Sequence, residues 1–255
     1  MYLCSWNVNS VRARLERVLA WTTAHRPDVL CLQETKVIDE AFPTEPFADA
    51  GYQALFHGQK TYNGVAILSR QTPTEICRGF DDGEDDQGAR FLVAEIGPLW
   101  VASVYVPNGR EVGSSHFQSK LAWLGRLRRF LETNTSPDQE VALCGDWNIT
   151  PDDRDVWNPK ERAGELHCHP DERAALEHLC DWGLADTFRL HHDEPGRYSW
   201  WDYRQLGFPK DRGMRIDLIL ATPSLADRCV AADIDREARK GKGASDHTVI
   251  TAHFE

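Results

Sequence analysis

The chain has no apolar run approaching the ~18 residues a membrane span needs, so it predicts no contact with a membrane. Its first residues, Met1-Tyr2-Leu3-Cys4-Ser5-Trp6-Asn7, lack both a basic head and a continuous apolar stretch, which excludes a visible secretory signal. Repeats, low-complexity tracts and Pro/Gly/Ser linkers are missing, and no boundary suggests itself within 1–255. A disulfide framework is also missing. The seven cysteines are odd in number and sit mostly inside apolar runs, which predicts buried thiols and a reducing, cytoplasmic compartment. Positive charge is in deficit. Against 40 acidic residues stand 29 basic ones, a net −11 that argues against non-specific polyanion binding. A nucleic-acid role would need local basic patches.

What is present is an ordinary globular composition, 41% hydrophobic and 27% charged. Short apolar runs predict strands over 3–6, 29–32, 64–68, 91–96, 100–106, 141–144, 216–221 and 248–254, several alternating as half-buried strands do. Three helices fall between them. Ser10 caps a stripe of Val11, Leu15, Val18 and Leu19. Phe117, Leu121, Leu124, Phe130 and Leu131 mark a second, and a third opens at Pro170-Asp171-Glu172 and closes at Gly183. Strands outnumber helices and are often sequence neighbours, which favours an α/β sandwich over a doubly wound sheet.

The polar residues fall where these strands end. Val29-Leu30-Cys31-Leu32-Gln33-Glu34 finishes in a carboxylate, and Val141-Ala142-Leu143-Cys144-Gly145-Asp146-Trp147-Asn148 in an acid and an amide. Read as extended chain, Asp146 and Asn148 share a face. Asp217 is set between aliphatics, where a carboxylate is costly unless paired or ligating. Asp246-His247 precedes the last strand and Asn7 ends the first. Oxygen and imidazole donors without a cysteine cluster select a hard cation, Mg²⁺ or Mn²⁺, over zinc. Taken singly, each residue has an ordinary explanation: Glu34 and Asp146 as caps or loop residues, Asp217 paired with Arg215 or Arg212, and His247 as a satisfied buried histidine. His167-Cys168-His169 with His178 and Cys180 lacks zinc-ligand geometry and is rejected as a metal site. The acidic run at 81–86 reads as a solvated loop.

Several motifs in this order resemble the exonuclease III family of apurinic/apyrimidinic (AP) endonucleases, within the endonuclease/exonuclease/phosphatase superfamily. They are Trp6-Asn7-Val8-Asn9-Ser10, Leu32-Gln33-Glu34-Thr35-Lys36, Tyr62-Asn63-Gly64-Val65, Gly145-Asp146-Trp147-Asn148, Arg215-Ile216-Asp217 and Ser245-Asp246-His247. Trp182 to Arg189 and Tyr198 to Arg204 extend the match across the chain. The resemblance implies one catalytic domain over 1–255, a four-layer α/β sandwich of two packed mixed sheets flanked by helices. It implies a Mg²⁺-dependent nuclease, with Mn²⁺ able to substitute, that cuts duplex DNA 5′ to abasic sites and leaves a 3′-hydroxyl, with 3′→5′ exonuclease and 3′-end-cleaning activity. A monomer with no obligate protein partner is expected.

By the same resemblance, Glu34 is the principal metal ligand with Asn7 beside it, and Asp146, Asn148, Asp246 and His247 belong to the metal set. Asp146 handles the attacking water, Asn148 and Tyr105 contact the scissile phosphate, and Asp217 pairs with His247. Trp200, Met214 and Ile216 line a pocket for a flipped-out base-free sugar, and Arg90 and Arg204 face the DNA. The run from Arg236 to Lys242, with Arg197, Arg204, Lys210, Arg212 and Arg215, could form the basic edge that the net charge demands, or be ordinary solvated surface. Lipid and inositol phosphatases share the scaffold but need phosphate- or lipid-binding segments for which no candidate is present. A catalytically dead DNA-binding module is opposed by the intact set of polar residues.

Overall fold

The computed structural model describes residues 1–86 and 88–255. Among them the strands are β1 (Tyr2–Asn7), β2 (Val29–Gln33), β3 (Gln53–His57), β4 (Val65–Ser69), β5 (Thr74–Arg78), β6 (Phe91–Ile96) and β7 (Leu99–Tyr105). They continue with β8 (Val141–Asp146), β9 (Ala185–Asp186), β10 (Trp200–Trp201), β11 (Gly213–Met214), β12 (Asp217–Ala221), β13 (Cys229–Asp235) and β14 (Val249–Phe254). The helices are α1 (Val11–His25), α2 (Thr44–Asp49), α3 (Ser115–Asn134), α4 (Pro159–Arg162), α5 (Pro170–Cys180) and α6 (Pro223–Ala226). Ser10 caps α1 through its side chain, which accepts from the Ala13 amide at 3.4 Å.

Two six-stranded mixed sheets carry the fold, ordered β13-β14-β1-β2-β4-β3 and β5-β6-β7-β8-β12-β9. Their facing sides bury Leu3, Val29, Cys31, Ile67, Val101, Cys144, Ile219 and Ile250 in one apolar layer. Behind the first sheet lie Val11, Val18 and Trp21 of α1 with Phe47 of α2. Behind the second lie Trp123, Leu127 and Leu131 of α3 with Leu176 and Leu179 of α5. Helix, sheet, sheet, helix is the four-layer sandwich expected.

This architecture also places the site. Each sheet contains one parallel pair, β1 with β2 and β7 with β8, and Tyr105, Asp146 and Asp217 stand abreast on β7, β8 and β12. Cys144 and Ile219 belong to the inter-sheet layer, so Asp146 and Asp217, two residues away on their strands, point into the same space. The apolar layer ends in a polar belt. Gln33 is wholly buried, accepts from Ser5 Oγ at 3.2 Å and donates to Ser103 Oγ at 3.1 Å. Beyond that belt the carboxylates converge.

Candidate active site

Five polar side chains meet at this end of the inter-sheet space. Asn7 Nδ2 donates to Glu34 Oε1 and to Asp146 Oδ2, each at 2.9 Å, joining the two sheets through one amide. His247 is buried, with Nδ1 2.9 Å from Asp217 Oδ2 and Nε2 3.6 Å from Asp146 Oδ2. Tyr105 completes the wall from β7, in register with Asp146 on β8. Arg90 lies across the Tyr105 ring, its guanidinium carbon 4.7 Å from the centroid.

Local backbone geometry fits the sequence here. Glu34 (φ 52) and Asn148 (φ 53) both take the left-handed conformation just past their strands, an uncommon state for non-glycine residues and one that concentrates at functional sites. Asp146 and Asn148 therefore do not share the face of an extended strand. Instead the Asn148 amide donates to Asp146 Oδ1 at 2.9 Å in a tight turn, which fixes the carboxylate. Gly145 is required by β7. A Cβ there would lie 1.8 Å from the Val104 carbonyl oxygen, a backbone atom that cannot move aside. Gly64 plays a similar part beneath Glu34, since its carbonyl accepts from the Thr35 amide at 3.0 Å and its φ is +91°.

Burial tunes the ionisable groups. It pushes the Asp146 carboxyl up to about 7, against the pull of His247. His247 would be lowered by burial alone, but the Asp217 and Asp146 carboxylates outweigh this and push it up to about 10. The imidazole is thus a cation beside a carboxylate that titrates near neutrality. Burial raises the Tyr105 hydroxyl well above its ordinary value, with Glu34 and Asp146 adding to the effect. For Asp246, burial is outweighed by His247, Asn9 and Trp200, so it stays below the usual carboxylate range.

Among the described residues, Glu34, Asp146 and His247 form a set whose ligand atoms all lie within 4.8 Å of one another, a cluster that could hold a metal ion. Asp246 is outside that set; Trp200 Nε1 donates to its Oδ2 at 3.1 Å and Asn9 Nδ2 to its Oδ1 at 2.9 Å. Asn148 Nδ2 donates to the Val106 carbonyl at 3.0 Å, and its Oδ1 accepts from Asn108 at 3.1 Å.

Residue 4 to residue 247 of the chain match the endonuclease/exonuclease/phosphatase family. The chain belongs to that family. Exodeoxyribonuclease III of Haemophilus influenzae is 38% identical over the full length of both chains. An AP endonuclease from Archaeoglobus fulgidus superposes with a TM-score of 0.95 at 36% identity, covering 100% of this chain and 99% of that one. A 3′ phosphatase from Neisseria, bound to product DNA hairpin, gives 0.96 at 36% identity with the same coverage.

Endonuclease/exonuclease/phosphatase membership leaves the surroundings of the site to this chain's own residues. Trp200 and Met214 pair across β10 and β11 and line a cleft of ≈ 270 Å³, together with Trp157, His167, Arg204 and Arg212. Ile216 does not line it. At 2% exposure it packs with Val156 and Cys168 beneath Met214. Arg204 is exposed and held by Asp202 at 3.0 Å. Much of the basic edge is paired with neighbouring carboxylates, most of it at the surface. Arg215 is buried between Asp155 and Asp186, Arg197 pairs with Glu194 and Asp233, and Lys240 with Glu237. Arg236 pairs with Asp211, and Arg239 lies over the Tyr203 and Phe208 rings. Nor is the acidic run only solvated: Asp82 and Asp86 clamp the buried Arg126.

Sequence reasoning gave no role to Lys120, Lys36 or His167. Lys120 Nζ is wholly buried, donates to the Asn148 carbonyl at 2.7 Å and pairs with Glu172. Its signal was a lysine on the apolar stripe of α3, at i+3 from Phe117 and i−4 from Leu124. Lys36 sits 2.6 Å from Glu34 Oε2. His167 Nδ1 is 2.5 Å from the Asn148 carbonyl oxygen, and burial, with Lys120 adding, lowers its imidazole to about 3.

Proposed function

We propose that the protein is a DNA repair nuclease that hydrolyses phosphodiester bonds in duplex DNA 5′ to abasic sites, leaving a 3′-hydroxyl, and that also trims 3′ ends. The convergence of Glu34, Asp146 and His247 with Asn7, Tyr105 and Asp217 carries this reading. Asp146, titrating near neutrality in a buried setting, is suited to take the proton of an attacking water. The His247 cation, held by Asp217, faces the place where negative charge grows on the phosphoryl oxygens. Tyr105 and the Asn148 amide supply neutral donors to the same phosphate. The donor set fits Mg²⁺, with Mn²⁺ able to substitute; Glu34 and Asp146 would hold the ion, with the Asn7 amide alongside. When bound, such an ion supplies Lewis-acid polarisation of the phosphate and lowers the pKa of water. The protein is expected to act as a monomer.

The balance between incision within a strand and 3′-end processing turns on the cleft. A 3′-terminal phosphate needs only the carboxylate end of the site, whereas an abasic sugar must also enter beside Trp200. The His167 ring, pinned to Asn148, stands 6.4 Å from the Trp200 ring in that cleft. The test is a duplex carrying one abasic analogue and a second duplex ending in a 3′-phosphate, each incubated with Mg²⁺ and with EDTA. Incision or phosphate release with Mg²⁺ and neither with EDTA is expected. Full turnover in EDTA overturns the metal assignment, and inertness on both duplexes overturns the nuclease reading.

A further inference from the structure

Arg212 is the cleft-lining cation that the fold leaves without a carboxylate. The cleft has three arginines. Arg204 is held by Asp202 at 3.0 Å and Arg162 by Glu165 at 2.7 Å. Arg212 has no carboxylate partner among the described residues. Its sequence neighbour Asp211 is turned elsewhere, accepting from Trp201 Nε1 at 3.1 Å and pairing with Arg236 at 3.2 Å. The Arg212 guanidinium instead lies over Trp157, 5.0 Å from the ring centroid, which fixes its direction without neutralising it. Its backbone is equally constrained. The Arg212 amide donates to the Gly207 carbonyl at 2.9 Å, Asp211 is left-handed (φ 53), and a Cβ on Gly213 would fall 2.5 Å from Trp201 Nε1. At its inner end the same cleft is walled by Trp200, whose ring centre is 6.5 Å from that of His247, and by His167 on Asn148.

We propose that Arg212, presented by Trp157, is a subsite for a backbone phosphate of the bound strand, one that flanks the scissile phosphate contacted by Tyr105 and Asn148. This rests on the nuclease reading and adds to it an anchor that sets the register of the strand along the cleft. A planar guanidinium held on a ring is pre-organised for a phosphate, and a chain of net charge −11 needs such fixed local cations.

The test measures duplex binding against salt concentration in an Asp146→Asn background, so that the DNA survives. Each neutralised phosphate adds ~0.9 to the log–log salt slope. Arg212→Met should therefore lower that slope by about one and weaken binding similarly on unrelated sequences. Arg212→Lys, which keeps the charge, should retain the slope, and Arg197→Met, a cation already paired outside the cleft, should leave it unchanged. If Arg212→Met keeps the parent slope while the parent binds duplex in a salt-dependent way, the subsite is wrong and the nuclease reading stands. If the parent shows no salt-dependent duplex binding, the reading itself fails and the subsite with it.

Discussion

Asp146 and His247 face each other at 3.6 Å; burial raises the first and Asp217 holds the second as a cation, so single substitutions separate their roles. Asp217→Asn leaves the shape but removes the charge that holds His247 as a cation. Turnover on an abasic duplex should fall ~10–100-fold, the usual cost of losing an orienting partner, with little change in duplex affinity. Turnover within two-fold of wild type would reduce Asp217 to a packing residue. Trp200→Ala tests the cleft. It removes the ring and the 3.1 Å hydrogen bond to Asp246, and AP incision should drop relative to exonuclease activity on an intact duplex. If both activities fall in step with thermal stability, Trp200 is core. At this scale the candidate residues were legible, because acids and amides that each have an ordinary use alone recur together at the ends of several apolar strands. Ile216 was not, since one aliphatic next to a cleft reads the same whether it lines the wall or supports it. The arginines stayed open for a different reason: sequence shows a charge but not the carboxylate that a distant loop brings to it, as Asp155 and Asp186 do for Arg215.

Helix α3 carries a device that spacing alone could not reveal. Lys120 crosses from the helix to the Asn148 carbonyl while Glu172 of α5 neutralises it, with both side chains wholly buried. Lys120→Met leaves the Glu172 charge uncompensated and should cost about 3–5 kcal/mol, as broken buried pairs do. Adding Glu172→Gln should restore most of the thermal stability, yet turnover should stay depressed because the Asn148 carbonyl has lost its tether. Chemical denaturation and single-turnover rates measured on the same samples separate the two effects. Recovery of both would make the pair purely structural. Among the strands, the eight read from sequence are all present, whereas β3, β5, β9, β10, β11 and β13 went unread. Of these, β3, β5, β9 and β13 are the edges of the two large sheets, and β10 and β11 form a small sheet of their own. β5 is mostly exposed, which erases the alternation that marks a half-buried strand, and β13 breaks its register between Cys229 and Ala231.

On the scale of the whole molecule, two sheets meet so that loops distant in sequence close one end of a single apolar layer, and the site exists only through that meeting. Asn7 and Asp146, joined by a 2.9 Å hydrogen bond, lie 139 positions apart. This is why spacing could nominate the residues but not bring them together; the order of motifs across the full chain did that. The most direct test of the account is Asp146→Asn, assayed on one duplex for both affinity and single-turnover hydrolysis. The rate should fall by at least ~10²–10⁴-fold, the range for loss of a general base, with a dissociation constant within a few-fold of wild type. A variant that still cuts at near wild-type rate would place the chemistry on another residue and contradict the account.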